Sequence, residues 1–294
     1  MPIRILLSCF CSLIYLFTYA QSEMDSLSDV MRSRKPYSSR IHAYITYEQK
    51  FGLRNFDQML SIAKEGIELA IRNDDPYGVA ELHRFAGEAW YFKGQYDSAA
   101  RYYYESINIL EKTKEHKKLA AAYNSLAKLY RKTKDLDRAL ETYNKALGIY
   151  TRIKDSSGIS MIMNESGVVY EYAGKYKEAI DRYNTSLVIT ERLNDSIGIA
   201  YALSNLAGVN TLLKNYNQAE QYLLRALAIR SKLNDEFTIA LNYSDLAATY
   251  ASAGTFVKAR TFLDSSVAIA ERMQYPELLQ TNFNLLAEIA QKQG

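Results

Sequence analysis

The chain has 294 residues, with 36 Lys or Arg against 33 Asp or Glu, so its formal net charge is only +3. This balance argues against a nucleic-acid partner, which requires a basic stripe that neutralises phosphates. A content of 48% hydrophobic residues excludes disordered and low-complexity classes, and four prolines with thirteen glycines are few for an all-β protein. What remains is an ordered chain, long enough to bury a core.

The first twenty residues differ in composition from the rest of the chain. Arg4 is the only charged side chain before residue 23, an apolar run extends from Ile5 to Tyr19, and Ala20 precedes a polar stretch. This arrangement predicts a secretory signal peptide over residues 1–20, cleaved near Ala20. A retained anchor is the alternative, although spanning a bilayer takes about 20 apolar residues. We therefore expect an exported protein, periplasmic or extracellular, with no membrane span in its mature chain.

A period of 40 residues runs through the remainder of the chain. Small residues, aromatic residues and alanines each recur at this spacing, and one column is invariant at Ala99, Ala139, Ala179, Ala219 and Ala259. Within a repeat, apolar side chains follow one another at intervals of three and four residues, which is typical of one face of an α-helix. Glycine or lysine interrupts each repeat at its middle. Each repeat is therefore predicted to be two antiparallel helices joined by a short turn.

Acidic residues recur just before the first helix of each repeat, at Asp75, Glu115, Asp155, Asp195 and Asp235. A carboxylate in this place accepts hydrogen bonds from the unpaired amides of a helix start, and Pro76 and Pro276 suit the first helical position. A ladder of metal-binding carboxylates is the alternative, but each residue stands in a separate turn without a second ligand nearby. These residues are therefore predicted to be helix N-caps.

The pattern is clearest as Leu126-Ala127-x-x-Tyr130 followed by Ala139-x-x-x-Tyr143-x-x-Ala146. A small residue, an aromatic residue three later, a turn and then this alanine–tyrosine spacing resemble the tetratricopeptide repeat. The usual period of that family is about 34 residues, so the chain is similar to a longer-helix variant with 40, of the exported bacterial type. The resemblance implies an all-α fold, a right-handed α-solenoid of antiparallel helix hairpins.

The resemblance also suggests a domain organisation for the mature chain. The five full repeats occupy residues 76–275, preceded by a degenerate first repeat over 38–75. A polar lead-in over 21–37 is expected to be mobile. A last single helix over 276–294 is expected to cap the stack.

The sequence shows no constellation of residues that carries catalysis. Both cysteines lie within the predicted signal peptide, and the three histidines, His42, His83 and His116, do not have the spacing of a zinc site. No nucleophile elbow or phosphate loop is present. We therefore expect no enzymatic activity, no metal site and no cofactor.

In tetratricopeptide proteins the groove is lined mainly by the first helix of each repeat, and this resemblance directs the choice of binding residues. Three positions before the small column, the residues are polar in every repeat. Asparagine suits the backbone of an extended peptide because it offers a donor and an acceptor together. An ordinary solvated face is the alternative interpretation. The predicted contact residues are Arg84, Asn124, Asn164 and Ser204, with Lys128, Arg131, Glu171, Tyr172 and Tyr201 nearby.

What the resemblance implies about function is a class of activity. Such arrays bind proteins or peptides, so we expect a non-catalytic exported scaffold that binds a protein or peptide segment in its concave groove. The alternative is a sensor or input segment of a membrane-bound bacterial signalling protein. The sequence does not identify the partner.

Overall fold

The computed structural model describes residues 22–51 and 55–293, and the predicted signal peptide over residues 1–20 lies outside these ranges. All regular structure in the described part of the chain is helical. The chain forms two compact units, Met1–Ile149 (unit 1) and Tyr150–Gly294 (unit 2).

Fourteen helices are present in the described residues, and twelve of them form six tandem antiparallel hairpins in which a first helix is followed by a second one. Unit 1 contains α1 (22–32), α2 (Tyr37–Phe51), α3 (Phe56–Arg72), α4 (Pro76–Phe92), α5 (Tyr96–Leu110), α6 (His116–Lys132) and most of α7 (Leu136–Arg152). Unit 2 contains α8 (Ser156–Tyr172), α9 (Tyr176–Arg192), α10 (Ser196–Leu212), α11 (Tyr216–Leu233), α12 (Glu236–Ser252), α13 (Phe256–Met273) and α14 (Pro276–Gln293). From α2 to α13, the even-numbered helices are the first helices of their hairpins, and α1 and α14 are single helices in the described residues.

Four of the five predicted N-caps are confirmed. The carboxylates of Asp75, Asp155, Asp195 and Asp235 each accept a hydrogen bond from the backbone amide three residues later, over 3.0–3.2 Å. The prediction for Glu115 is wrong, because its side chain makes no capping bond. Its backbone amide instead donates to Thr113 Oγ1 over 3.2 Å. Glutamate is one methylene longer than the short side chains that cap well, so its carboxylate does not reach the orphan amides as readily.

The hairpin turns depend on residues with left-handed backbone conformation. Gly174 has φ +70°, and Lys134 and Lys214 adopt the same conformation with φ +64° and +63°. Glycine enters this region at no steric cost, whereas lysine carries a Cβ that disfavours it. The surrounding helix packing therefore imposes the turn at the two lysines.

Close helix crossings form the core of each repeat. The five alanines of the invariant column are all fully buried. Opposite the small column, Tyr103 and Tyr183 are buried against Gly87 and Gly167, where an added Cβ would come within 2.6 Å and 2.5 Å of the tyrosine rings. The tyrosine ring thus occupies the space that a side chain would need, and this lets the two helices of a hairpin approach closely.

The predicted lead-in over residues 21–37 differs from expectation where it is described. Residues 22–32 form α1, and Met24, Leu27 and Val30 pack against the core of unit 1 while Met31 is buried within it. The Arg40 side chain also donates to the Met31 carbonyl over 2.8 Å. The cause is the spacing of these apolar side chains, which places them on one face of a helix that covers α2.

Candidate functional site

The first helices of unit 2 present exposed apolar and aromatic side chains on one face. Tyr201 and Leu212 on α10 are 50% and 54% exposed, and Tyr172 on α8 is 52% exposed. Met161 on α8 is also exposed and stands at the repeat position that Tyr201 occupies on α10. We refer to Met161, Tyr172, Tyr201, Gly208 and Leu212 as the first-helix face.

The middle of the first-helix face is open and lined by small residues. An added Cβ at Gly208 would meet no atom within 4 Å. Val168 and Ala248 stand at the same repeat position on α8 and α12, and both are half-buried. We refer to Val168, Gly208 and Ala248 as the floor of this face. Along α8 and α10, larger apolar side chains stand on either side of the floor residue.

Hydrogen bonds between neighbouring first helices fix the polar part of this face. Asn205 on α10 donates its Nδ2 to Asn164 Oδ1 on α8 over 3.0 Å. Farther along α10, the hydroxyls of Thr211 and Thr249 are hydrogen-bonded over 2.9 Å. These bonds hold α8, α10 and α12 in register. The side-chain amides of Asn164 and Asn205 lie beside the open floor.

Two other predicted contact residues of unit 2 are half-buried beside the face. Glu171 accepts a hydrogen bond from the Tyr183 hydroxyl over 2.8 Å. Burial raises the pKa of Glu171, and the bond from Tyr183 opposes that effect. The Ser204 hydroxyl is buried and makes no hydrogen bond within the described residues. Of the predicted residues in unit 2, Tyr172 and Tyr201 are therefore the most accessible.

The predicted contact residue Arg84 of unit 1 lies in a cluster of charged side chains on α4 and α6. Its Nη1 atom is 2.6 Å from Glu88 Oε1, and its Nε atom is 3.5 Å from Glu81 Oε1. Lys118 Nζ contacts Glu81 Oε2 over 2.8 Å, and Ser125 donates to Glu88 over 3.3 Å. These neighbours already engage Arg84, so it is less available to a partner than the sequence suggested.

The remaining predicted residues of unit 1 lie along α6. Asn124 is only 7% exposed, whereas Lys128 and Arg131 are half-buried. The Oδ1 atom of the Asn124 amide is itself buried. Of these three side chains, Asn124 therefore fits a surface contact least well.

Glu48 on α2 is a buried carboxyl that the sequence did not single out. It is 3% exposed, and burial, together with the charge of Glu88, raises its pKa to about 9. The pKa of Glu48 is higher in the folded protein than in the unfolded chain. The stability that protonated Glu48 contributes is therefore fully present below pH 4.5, the ordinary pKa of glutamate. It is lost progressively as the pH rises towards 9.

Replacing Glu48 with glutamine should therefore flatten the pH dependence of stability. We expect Glu48→Gln and the parent to be similar at pH 4, and the variant to become more stable by up to about 1.4 kcal/mol per pH unit above it. Urea unfolding followed by circular dichroism between pH 4 and 8 measures this difference. Parallel pH profiles for the two proteins would contradict the expectation.

The described residues contain neither a metal-ligand cluster nor a helix suited to a bilayer. No group of three or more His, Cys, Asp or Glu side chains is placed to hold a metal ion. Over residues 22–51 and 55–293, no helix combines the length and the apolar character needed to cross a membrane.

Several residues of the candidate site escaped the sequence analysis. Met161 and Leu212 stand at repeat positions where the residue type changes from one repeat to the next. The repeat pattern therefore did not indicate a role for them. Outside this site, in the core of unit 2, the sequence did carry a signal for Asn242 on α12, because the corresponding residues of earlier repeats, Leu82 and Ile162 among them, are apolar. A polar residue in an otherwise apolar column indicates a buried hydrogen bond, and Asn242 is fully buried.

Comparison with protein families identifies one match. The tetratricopeptide repeat model matches four overlapping stretches of this chain, residues 78–152, 118–192, 158–232 and 198–272. Together they span about two thirds of the sequence. No curated protein matches the chain significantly in sequence.

Solved structures with a similar fold include three with tetratricopeptide-like architecture. BtubC (BKLC) from P. vanneervenii is 23% identical with a TM-score of 0.65, covering 75% of this chain and 92% of its own. A Rap protein complexed with competence and sporulation factor is 16% identical with a TM-score of 0.63, covering 93% and 87%. The apo quorum sensor NprR from B. thuringiensis is 15% identical with a TM-score of 0.64, covering 92% and 81%. At these identities the likeness concerns the fold alone.

Proposed function

We propose that this chain, which belongs to the tetratricopeptide repeat family, is a non-catalytic scaffold that binds an extended segment of a partner protein on the first-helix face. The observation that carries the proposal is the open floor at Gly208 between exposed apolar side chains. The Rap protein of similar fold is described in complex with competence and sporulation factor, which supports a binding role.

The chemistry of the first-helix face suits a peptide backbone with apolar side chains. The bond between Asn205 and Asn164 uses one donor and one acceptor, so the Asn164 amide nitrogen and the Asn205 amide oxygen remain for a ligand. The backbone of an extended segment offers both kinds of partner. Tyr201 and Leu212 would contact its side chains, since interface anchors are commonly aromatic or apolar groups beside polar contacts.

The same proposal includes the finer predictions made from the sequence. We propose that the chain is a longer-helix member of the family with a period of 40 residues, because its family matches begin at residues 78, 118, 158 and 198. We also propose that it is exported, which rests on the composition of residues 1–20.

A blocking substitution at the open floor tests the binding proposal. Peptides of 16 residues are selected from a random displayed library on the full chain, synthesised, and measured by fluorescence anisotropy. Gly208→Phe should weaken their binding at least tenfold, because the ring occupies the floor. The phenylalanine should leave the helix intact, because an added Cβ at Gly208 meets no neighbour.

Gly148→Phe is the matched control. Gly148 is an exposed helical glycine of α7 whose added Cβ also meets nothing within 4 Å. The affinity of Gly148→Phe for the selected peptides should stay within twofold of the affinity of the parent. Circular dichroism should show that both variants are folded. The proposal is wrong if the folded parent selects no peptide, or if the two variants bind alike.

A further inference from the structure

A cleft of about 590 Å³ lies in unit 2, where the hairpin of α10 and α11 makes its turn. Small-molecule sites commonly have volumes of roughly 300–1,000 Å³. None of the residues that line the cleft belongs to the first-helix face, so the cleft is separate from the site proposed above. The described residues that line it include one cation and no carboxylate: Asn210, Lys214, Asn215, Tyr216, Asn217, Gln218 and Gln221.

The cleft lies in the one full repeat that lacks an aromatic residue at the repeat position of Asn210. The other four full repeats have an aromatic residue there: Trp90, Tyr130, Tyr170 and Tyr250. The ring centroid of Tyr130 is 4.7 Å from Cζ of Arg138, which follows it by eight residues. The ring centroid of Tyr250 is 5.1 Å from Nζ of Lys258, at the same spacing. In both hairpins the ring therefore lies beside the first turn of the second helix.

Asn210 is too short to fill the space of such a ring and forms the bottom of the cleft. It is 8% exposed, and its Nδ2 donates to the Leu206 carbonyl over 2.7 Å, so the side chain folds back along α10. Its Oδ1 accepts a hydrogen bond from Asn215 Nδ2 over 3.3 Å. Gln218, which follows Asn210 by eight residues, lines the cleft. The cleft therefore corresponds to the space that an aromatic ring fills in the other full repeats.

The side chains at the rim of the cleft are available to a ligand. Tyr216 is half-buried and supplies an aromatic surface, and each Asn or Gln amide offers donors and an acceptor. The lining therefore presents many hydrogen-bonding groups around one ring. Four lining side chains are exposed and make no hydrogen bond or ion pair within the part of the chain that the structure describes: Lys214, Asn217, Gln218 and Gln221.

We propose that this cleft is a saccharide-binding site that takes one pyranose ring. Each hydroxyl of a pyranose both donates and accepts hydrogen bonds, which matches the amides of the lining, and its C–H groups suit the face of Tyr216. An aromatic hydrocarbon ring would fill the same space but would leave those amides without partners. A cationic ligand would find no carboxylate among the described lining residues. Lys214 donates equally to a hydroxyl of a neutral sugar or to the carboxylate of an acidic one.

Saturation-transfer NMR on the full chain tests the site at constant ionic strength. The sugar probes are the methyl glycosides of glucose, galactose and mannose, together with glucuronic and galacturonic acids. We expect at least one of them to bind with a dissociation constant of about 1 mM, which is ordinary for a ligand of this size. Tighter binding of the acids identifies an acidic sugar as the ligand, and tighter binding of the glycosides identifies a neutral one.

Asn210→Tyr is the decisive variant, because it restores the aromatic residue of the other repeats and fills the cleft. It should weaken the bound sugar at least tenfold, with circular dichroism showing that the chain is folded. Gln218→Ala removes a lining amide that has no partner in the described residues, and it should weaken the sugar about fivefold. Gln291→Ala is the matched control, since Gln291 is an exposed glutamine of α14, and it should leave the affinity unchanged.

Two further measurements separate this inference from other interpretations. N-acetyl-L-tyrosinamide carries an aromatic ring without the hydroxyls of a sugar, and its binding in place of the sugars would assign the cleft to an aromatic side chain of a partner instead. Gly208→Phe should leave the affinity for the sugar unchanged, because Gly208 does not line the cleft. The inference is overturned if the folded parent binds none of the five sugars, or if Asn210→Tyr binds them as the parent does.

Discussion

Replacing Asn242 with alanine is expected to lower the free energy of unfolding by about 3 kcal/mol. Asn242 on α12 is fully buried, and its Oδ1 accepts a hydrogen bond from Arg230 Nη1 over 2.9 Å. Its Nδ2 donates to the Leu223 carbonyl over 3.2 Å. Arg230 on α11 is itself buried, and burial lowers its pKa. The variant would therefore leave a buried guanidinium without its acceptor, which is among the costlier defects in a protein interior.

Urea unfolding monitored by circular dichroism measures this loss, and two further variants interpret it. Asn284→Ala removes an exposed asparagine of α14 and should change stability by less than about 0.5 kcal/mol. The double variant Asn242→Leu with Arg230→Met should recover most of the loss, because both polar partners are replaced by apolar groups. An Asn242→Ala variant as stable as the parent would show that Arg230 finds another acceptor.

Replacing Gly167 with valine is expected to destabilise unit 2 by about 3 kcal/mol, through overpacking of a close helix crossing. The added Cβ would lie 2.5 Å from Tyr183 Cε1, and Tyr183 is fully buried between its neighbours. The ring cannot move aside without shifting α9. The branched side chain adds two methyl groups to the same space.

A compensating change separates overpacking from an effect of helix propensity. In the later repeats, the small column is alanine and its opposite residue is leucine, as at Ala207 and Leu223. Adding Tyr183→Leu to Gly167→Val should therefore restore more than half of the loss measured by urea unfolding. Gly148→Val, at an open helical site, should be neutral or slightly stabilising. If Gly167→Val is as stable as the parent, the crossing is looser than its geometry indicates.

The helical architecture could be predicted from the sequence because local signals and long-range packing agree. Asp155 and Asp195 mark helix starts by a mechanism that acts within four residues, and both cap as expected. The invariant alanines, such as Ala179, lie where helices cross. Their recurrence every 40 residues within this one sequence predicted that packing role. A repeat fold can be predicted from its sequence when the local capping signals and the positions of close helix packing indicate the same helices.

The candidate site was less predictable, because its features depend on which side chains face one another across helices. Position 48 belongs to a column that also holds Lys128 and Val168, so its chemistry gave no warning that Glu48 is buried. The Arg230 column is equally varied, with Leu110 and Ala270 among its members. In such columns, whether a charged side chain is buried depends on its neighbours in that one repeat. The repeat pattern of the sequence therefore does not predict the burial.

The connectivity of the helices has a consequence for how the chain folds. Within each unit, the contacts among α2–α6 and among α8–α14 join helices that are one or two places apart along the sequence. Little chain entropy is therefore lost in bringing partners together, a condition that favours rapid folding in small domains. A hairpin such as α10 and α11 has most of its partners within about forty residues on either side. Synthesis can therefore complete the contacts of one hairpin while the last helices are still being made.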